Sequence, residues 1–498
     1  MQEQTYQKSP LILRKCPGLL EKILAEGKIM SYRCLVSLFI LFFMTVIWGC
    51  GSKDTTGLDH REKKVDEQVR EKYGKSFAEL PVVKLVAISP HNVDIEKEYE
   101  TAFSIYHAVH YGQRIQIEWR DVGGGSTAIL SHLRNVYANS DRSGIDIAWG
   151  GGEYNFQVMA EEGILEKMKI DQEVLQQIPT VFSGLEMYDK DKRWCGSAIS
   201  GFGFLYNKQL FERMKLKKPE KWEDLGTARF YGLVGLADPS QSGSAAASYE
   251  MIVQSGETWE KGWAKLLNIL GNVKRFYAGA GDAAEAIPSG EVAISTCIDF
   301  YGINRVSKYP DTLVYMSPKG QTAFNPDPIA ILKNPPHPEL AQRMVDFVLS
   351  LPGQALWALP VGHPDGPLRA ALCRQPIRKD VYTTYAGELS PMTINPFAEG
   401  QGMTVDNELW SISYGVLRQL VWAAAVENLD GLKSAKKKLI ETNFPTDRMG
   451  VFNALPDNIA SRQKLQEMDR QLRDTKQRDI IATEWITYFR DKYKRVSE

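Results

Sequence analysis

From Val82 onward, short apolar runs of strand length alternate with longer stretches of helical spacing. Val82-Val-Lys-Leu-Val-Ala-Ile88 predicts a strand ending in Ser-Pro, and a helical stretch follows through His110. Arg114-Ile-Gln-Ile-Glu-Trp119 predicts a second strand, and Gly123-Gly-Gly-Ser-Thr127 leads into a helix near Ala128–Tyr137. A third strand, Ile145-Asp-Ile-Ala-Trp149, runs into Gly150-Gly-Gly152, and the helix from Asn155 to Glu162 stops at Gly163, a C-cap residue. Strand–helix units in this order predict an α/β fold with an open parallel sheet covered by helices.

The pattern then restarts. Gly203–Asn207, Leu233–Ala237, Val292–Thr296, Asp311–Tyr315 and Asp327–Leu332 are strand-like, with helices at Lys208–Lys215, Ala245–Gln254, Glu257–Leu270 and Pro338–Leu349. Two successive α/β lobes imply a cleft between them, where ligands commonly bind. Beyond Met403 the chain is helix-rich, with Leu409–Asn428 and Ile459–Tyr493 the longest candidates. Residues 58–78 are charged and apolar-poor and read as a stalk.

The N-terminal region is patterned differently. A basic Met30-Ser-Tyr-Arg33, an apolar run from Leu35 to Trp48 and then Gly49-Cys50-Gly51-Ser52 are the parts of an export signal. Ile47-Trp-Gly-Cys50 resembles a bacterial lipobox. That resemblance implies removal of residues 1–49 and lipidation of Cys50 as the new N-terminus. A single transmembrane helix is the competing reading, but the run is shorter than the roughly 20 apolar residues a bilayer needs. Met1–Ile29 does not fit an exported leader, which makes Met30 a candidate start.

Composition narrows the function classes. Hydrophobic residues at 43% and charged residues at 24% describe a globular chain. A net charge of −1 gives no electrostatic case for nucleic acid, which needs a basic face. After Cys50 only Cys195, Cys297 and Cys373 remain, too few and too dispersed for a disulfide framework. There is no Gly-x-Ser-x-Gly, His-Glu-x-x-His or Cys-x-x-Cys, and Gly74-Lys-Ser76 lacks the upstream glycine of a P-loop. His107 and His110 form an i, i+3 pair, a spacing more often structural than ligating. No metal site, cofactor or catalytic set is expected.

Chemistry is expected where strands feed helices. Gly123–Thr127 and Ser240-Gln-Ser-Gly-Ser244 each lead into a helix N-terminus, where free N–H groups and the helix dipole favour an anion and serine adds donors. Trp149 with Gly150-Gly-Gly152 offers a third wall. The same loops also serve as plain turns with Ser/Thr caps.

Residues from about 82 to 366 resemble the ABC-transporter solute-binding proteins of the ferric-ion, phosphonate and thiamine group. The carrying segments are Asp146-Ile-Ala-Trp-Gly-Gly-Gly152, Phe204-Leu-Tyr-Asn207, Ala237-Asp-Pro-Ser-Gln-Ser-Gly-Ser244, Ile287-Pro-Ser-Gly-Glu-Val-Ala293, Asp327-Pro-Ile-Ala-Ile-Leu332 and His337-Pro-Glu-Leu-Ala341. The resemblance implies a type II periplasmic-binding-protein fold, two Rossmann-like lobes joined by crossing strands and closing like a hinge on ligand. The expected organisation is a leader over 1–49, a tether over 50–81, lobe I over 82–200 and 320–370, lobe II over 201–319, and a mostly helical C-terminal extension over 371–498. The expected ligand set is Gly124, Ser126, Thr127, Trp149 and Gly151 with Ser242, Gly243, Ser244, Asp299 and Tyr301. Glu153, Asp282 or Asp299 are candidates to pair with an amine on the solute.

Ferric-binding members use an adjacent tyrosine pair where this chain has Phe300-Tyr301, and a carboxylate where it has glycines. His91 sits roughly where such members supply histidine, although a capping or surface role is the expectation for it. The resemblance therefore leans towards a small anionic solute, a phosphonate or phosphate ester, rather than bare iron. It implies a monomeric lipoprotein in the periplasm or at the cell surface, handing ligand to an ABC permease and not an enzyme. A ligand-sensing partner of a membrane sensor, or a secreted hydrolase, are the alternatives.

Overall fold

The computed structural model describes residues 56–398 and 402–498, so the lipobox and Cys50 lie outside the described residues. The first sheet begins with β1 (Val82–Ile88), β2 (Arg114–Arg120) and β3 (Ile147–Trp149). β1 pairs in parallel with both neighbours, in register from Val82 opposite Arg114 to Ile88 opposite Arg120. After a two-stranded hairpin, β4 (Val181–Phe182) and β5 (Leu185–Glu186), comes β6 (Cys195–Ser200), which belongs to the same sheet. The second sheet holds β7 (Phe202–Asn207), β8 (Val234–Ala237), β9 (Val273–Tyr277), β10 (Ile294–Ile298) and β11 (Leu313–Met316). β12 (Asn325–Ile331) then returns to the first.

The strand orders are β2-β1-β3-β12-β6 and β11-β7-β10-β8-β9. Both sheets are mixed rather than parallel. β12 runs antiparallel to β3 and β6, and β7 runs antiparallel to β10 and β11. The reversal follows from the chain's route, because a strand that enters one sheet directly from the other arrives without a crossover helix. Gly201 alone separates β6 from β7, and residues 317–324 carry the chain back. The two crossings are tied together where Phe202 N donates to Thr322 Oγ1 at 2.8 Å. This is an α/β fold of two lobes with a hinge and a cleft.

Several elements differ from the sequence expectation. β6 and β9 were not expected as strands; β6 reads Cys-Gly-Ser-Ala-Ile-Ser, small and weakly apolar, yet all of it is buried. The stalk expectation fails for residues 61–81. The helix Thr56–Tyr73 carries Val65 and Val69 into a small core with Leu80 and Ala108, so two well-placed valines outweigh a charged composition. Residues 371–398 hold one short helix, Lys379–Thr384, and lie against the first sheet, where Ile199 bridges Gln375.

The helices Asn407–Val421, Leu429–Glu441, Arg462–Arg473 and Thr475–Ser497 form a C-terminal module continuous with the main core. It packs on the helices Gly243–Gln254 and Trp259–Leu270 of the second lobe, with Trp263 and Phe489 at 5.9 Å. Burial pushes the Lys436 amine down to about 8, and it is satisfied by Gly226 O at 2.9 Å and Asn268 Oδ1 at 2.8 Å. Cys195, Cys297 and Cys373 are free thiols, each buried. Among the described residues, no helix is long and apolar enough to cross a membrane.

Candidate functional site

A cavity of about 460 Å³ lies in the cleft, lined from both lobes. Several helix N-termini open onto it, among them three that follow glycine- or serine-rich loops. Gly125 caps Ser126–Asn139, Gly152 caps Glu153–Glu161, and Ser242 caps Gly243–Gln254. Each follows the C-terminal end of a strand, so first-turn N–H groups and the positive ends of three helices converge on one space. Ser242 Oγ accepts from Ala245 N at 3.3 Å and lies 3.3 Å from Ser244 Oγ.

Glycine sets how closely these loops approach. A Cβ on Gly243 would collide with Ser126 Oγ, and one on Gly125 would meet Gln241 O at 2.9 Å. Gly151 and Gly152 sit at φ of 112° and 82°, which only glycine adopts readily. The walls from the two lobes therefore touch because their rims carry no side chains at those positions.

Behind the loops lies a buried charged cluster. Asp327 is 2.7 Å from His91 Nε2 and 2.7 Å from Arg374 Nη1, and Gly151 N donates to its Oδ1 at 2.7 Å. Burial works against ionisation of Asp327, but the Arg374 charge and His91 hold its carboxyl well below the usual range. Burial lowers the His91 pKa, partly opposed by Asp327. The Arg374 guanidinium lies 4.3 Å from the Phe300 ring centroid. Two polar atoms of this cluster, His91 Nδ1 and Arg374 Nε, have no partner within the protein. Beside it, Glu153 Oε2 accepts from Asn325 Nδ2, and burial pushes the Glu153 carboxyl up to about 7.

Of the residues expected from sequence, Gly124, Ser126, Gly151, Ser242, Gly243, Ser244 and Tyr301 line the cavity. Three do not. Thr127 Oγ1 is taken by Arg418 from the C-terminal module. Trp149 is buried in the first lobe, its Nε1 donating to Ser197 Oγ at 2.7 Å. Asp299 is buried at the crossing, accepting from Gly201 N at 2.9 Å and Phe300 N at 2.7 Å, and burial pushes it up to about 6. Glu153 and Asp282 line the cavity as well. His91 is no surface cap, since it lines the cavity and pairs with Asp327. Arg374, Asp327 and Tyr414 were missed. Asp327 stood in a recognised strand segment, but Arg374 and Tyr414 lie beyond the repeated pattern and carry no local signal.

Residues 145–366 match the bacterial extracellular solute-binding proteins. The phosphoglycerate transport regulatory protein PgtC of Salmonella typhimurium is 31% identical over 161 residues, 32% of this chain and 40% of its own length. The chain thus spans about two-fifths of that relative. Among solved structures, the periplasmic binding protein AfuA of Actinobacillus pleuropneumoniae, with fructose-6-phosphate bound, superposes with a TM-score of 0.56. It is 18% identical and covers 69% of this chain and 98% of AfuA. Iron-bound HitA of Pseudomonas aeruginosa gives 0.52 at 19% identity, covering 68% of this chain and 98% of HitA. These neighbours share the two-lobed fold. Among the described residues, no group of three or more His, Cys, Asp or Glu side chains is arranged to hold a metal ion.

Proposed function

We propose that the protein captures a small phosphate ester in the cleft and presents it to an ABC permease, with Cys50 as its lipidated anchor outside the cytoplasm. The observation that carries this reading is the convergence of three helix N-termini on one cavity. Asp327 neutralises Arg374, so attraction for an anion rests on backbone N–H groups and helix dipoles, which hold an anion without a formal charge of their own. A phosphate group offers oxygens to several such termini at once. Support comes from PgtC, whose name specifies phosphoglycerate, and AfuA, solved with a sugar phosphate. Closure of the lobes on ligand supplies the form a permease recognises. The word regulatory in the PgtC name favours a second reading, a sensor that reports the same ligand to a membrane partner.

Calorimetric titration with 3-phosphoglycerate, fructose 6-phosphate, inorganic phosphate and ferric citrate tests the site. An ester should bind, and at about 100 times its Kd it should add about 2.7 kcal/mol of stability. Ser242→Ala should weaken it about ten- to a hundred-fold by removing a donor to a charged group. Gly243→Val should weaken it further, since its bulk collides with Ser126. Binding of ferric citrate alone, or variants that lose stability at unchanged affinity, would overturn the reading. The intact mass of membrane-extracted protein checks acylation at Cys50.

A further inference from the structure

The anion reading leaves one part of the cavity without a role. Asn325 and Asp327 are two residues apart on β12 and both line the cavity, so the strand presents two polar pairs side by side. One is Asp327 with Arg374, which is charge-balanced. The other is Asn325 with Glu153, and it is incomplete. Glu153 is 1% exposed and lines the cavity; its Oε1 makes no hydrogen bond of ordinary geometry, although the Trp410 indole, itself unpaired, lies near enough to favour the ionised carboxylate. A buried carboxyl oxygen left unpaired is costly, and a site that keeps one gains when a ligand group satisfies it.

The surroundings define what that group is. Tyr154 and Tyr414 also line the cavity, their rings 4.6 Å apart and inclined by 30°. The Tyr414 hydroxyl is committed to Gly243 O at 2.8 Å, so this tyrosine contributes aromatic surface rather than a donor. Aromatic surface beside a hydrogen-bond acceptor suits a carbon skeleton carrying a hydroxyl. Tyr414 comes from the helix Asn407–Val421, outside the segment matched to the solute-binding family. The wall therefore joins Tyr154 of the first lobe to a ring supplied by the C-terminal module.

We propose that Glu153, held by Asn325 and flanked by Tyr154 and Tyr414, is a specificity-determining subsite that accepts a hydrogen bond from a hydroxyl of the ligand. The cavity then selects hydroxylated phosphate esters over alkyl phosphates and over inorganic phosphate. This rests on the phosphate-ester reading above. With burial holding the carboxyl near neutrality, ionised and protonated forms coexist at pH 7, and both accept from a hydroxyl. A hydroxyl pairs with the carboxyl in either form, whereas an ammonium group gains a countercharge only from the ionised one.

Titration of the full chain with glycerol 3-phosphate, propyl phosphate, phosphoethanolamine and inorganic phosphate tests this. Glycerol 3-phosphate should bind about ten-fold or more tightly than propyl phosphate. Glu153→Ala should bring that ratio to about one, and Glu153→Gln, which keeps an acceptor oxygen, should retain most of it. If Glu153→Ala does not fold, the wild-type ratio decides. A wild-type ratio near one, a ratio unchanged in folded Glu153→Ala, or a preference for phosphoethanolamine overturns the hydroxyl subsite and leaves the phosphate site standing. Absence of binding by all four probes overturns both readings.

Discussion

The two lobes and the C-terminal module hold themselves together in opposite ways. Where the lobes meet at the cleft, loops of glycine and serine and helix ends face each other, Gly125 against Gln241 and Gly243 against Ser126. The module meets the second lobe through aromatic rings and buried polar groups such as Lys436 and Glu250, contacts that are expensive to part. One interface suits opening and the other permanence. The module nevertheless reaches the movable one. Arg418 donates to Thr127 Oγ1 in the first lobe and to Pro239 O at 2.9 Å and Ser240 O at 3.0 Å in the second. Arg473 adds a contact to Glu161 at 3.2 Å.

The sharpest way to break this contrast is at Arg374, in the segment joining the two regions. Arg374→Ala leaves Asp327 as a buried carboxylate without its cation, and a loss of about 3–5 kcal/mol is expected in urea unfolding. A loss under about 1 kcal/mol would show that the cleft tolerates uncompensated charge, contrary to the packing around it.

Glu250 probes the permanent interface. Burial pushes its carboxyl up to about 7, while Ser413 Oγ and Gln254 Nε2 donate to Oε1 at 2.6 and 2.9 Å. Its folded-state pKa is raised, so its stabilising contribution is full below the ordinary carboxylate range and is lost as pH rises through about 7. Glu250→Gln cannot ionise. The variant should exceed wild type at pH 8 by on the order of 3 kcal/mol and lose that advantage at pH 5. Parallel urea midpoints at the two pH values check it, and equal differences would place the burial cost elsewhere.

The smallest expected change in stability is at Arg418. Arg418→Met keeps the aliphatic stem but removes the bonds to both lobes, at about 1–2 kcal/mol. Its clearer effect should be kinetic, a faster dissociation of bound ester in stopped-flow measurements at nearly unchanged association. Unchanged dissociation would mean the module does not restrain the cleft.

Most of the fold was legible because it is periodic. Runs such as Val82–Ile88 and the glycine-serine loops after them announce strand, turn and helix locally, and those loops hold most of the expected residues that reach the cavity. β6 was not legible, since Cys195–Ser200 owes its burial to neighbours distant in the chain rather than to its own composition. The same holds for the site. Ser242 and Gly243 sit in a recognisable motif, whereas Arg374 and Tyr414 arrive through tertiary packing that no spacing encodes. Thr127 and Asp299 were misjudged for a related reason. Their residue types suit a ligand, but Arg418 and the Gly201 crossing already occupy them.

The buried thiols give the molecule three built-in clocks. Cys195 lies in the first sheet, Cys297 in the second, and Cys373 beside Arg374. Burial raises the pKa of all three, so thiolate is scarce while each region stays shut. A thiol reagent therefore reads the frequency with which each region exposes its own sulfur. Because none of the three is disulfide-bonded, those frequencies are set by packing alone.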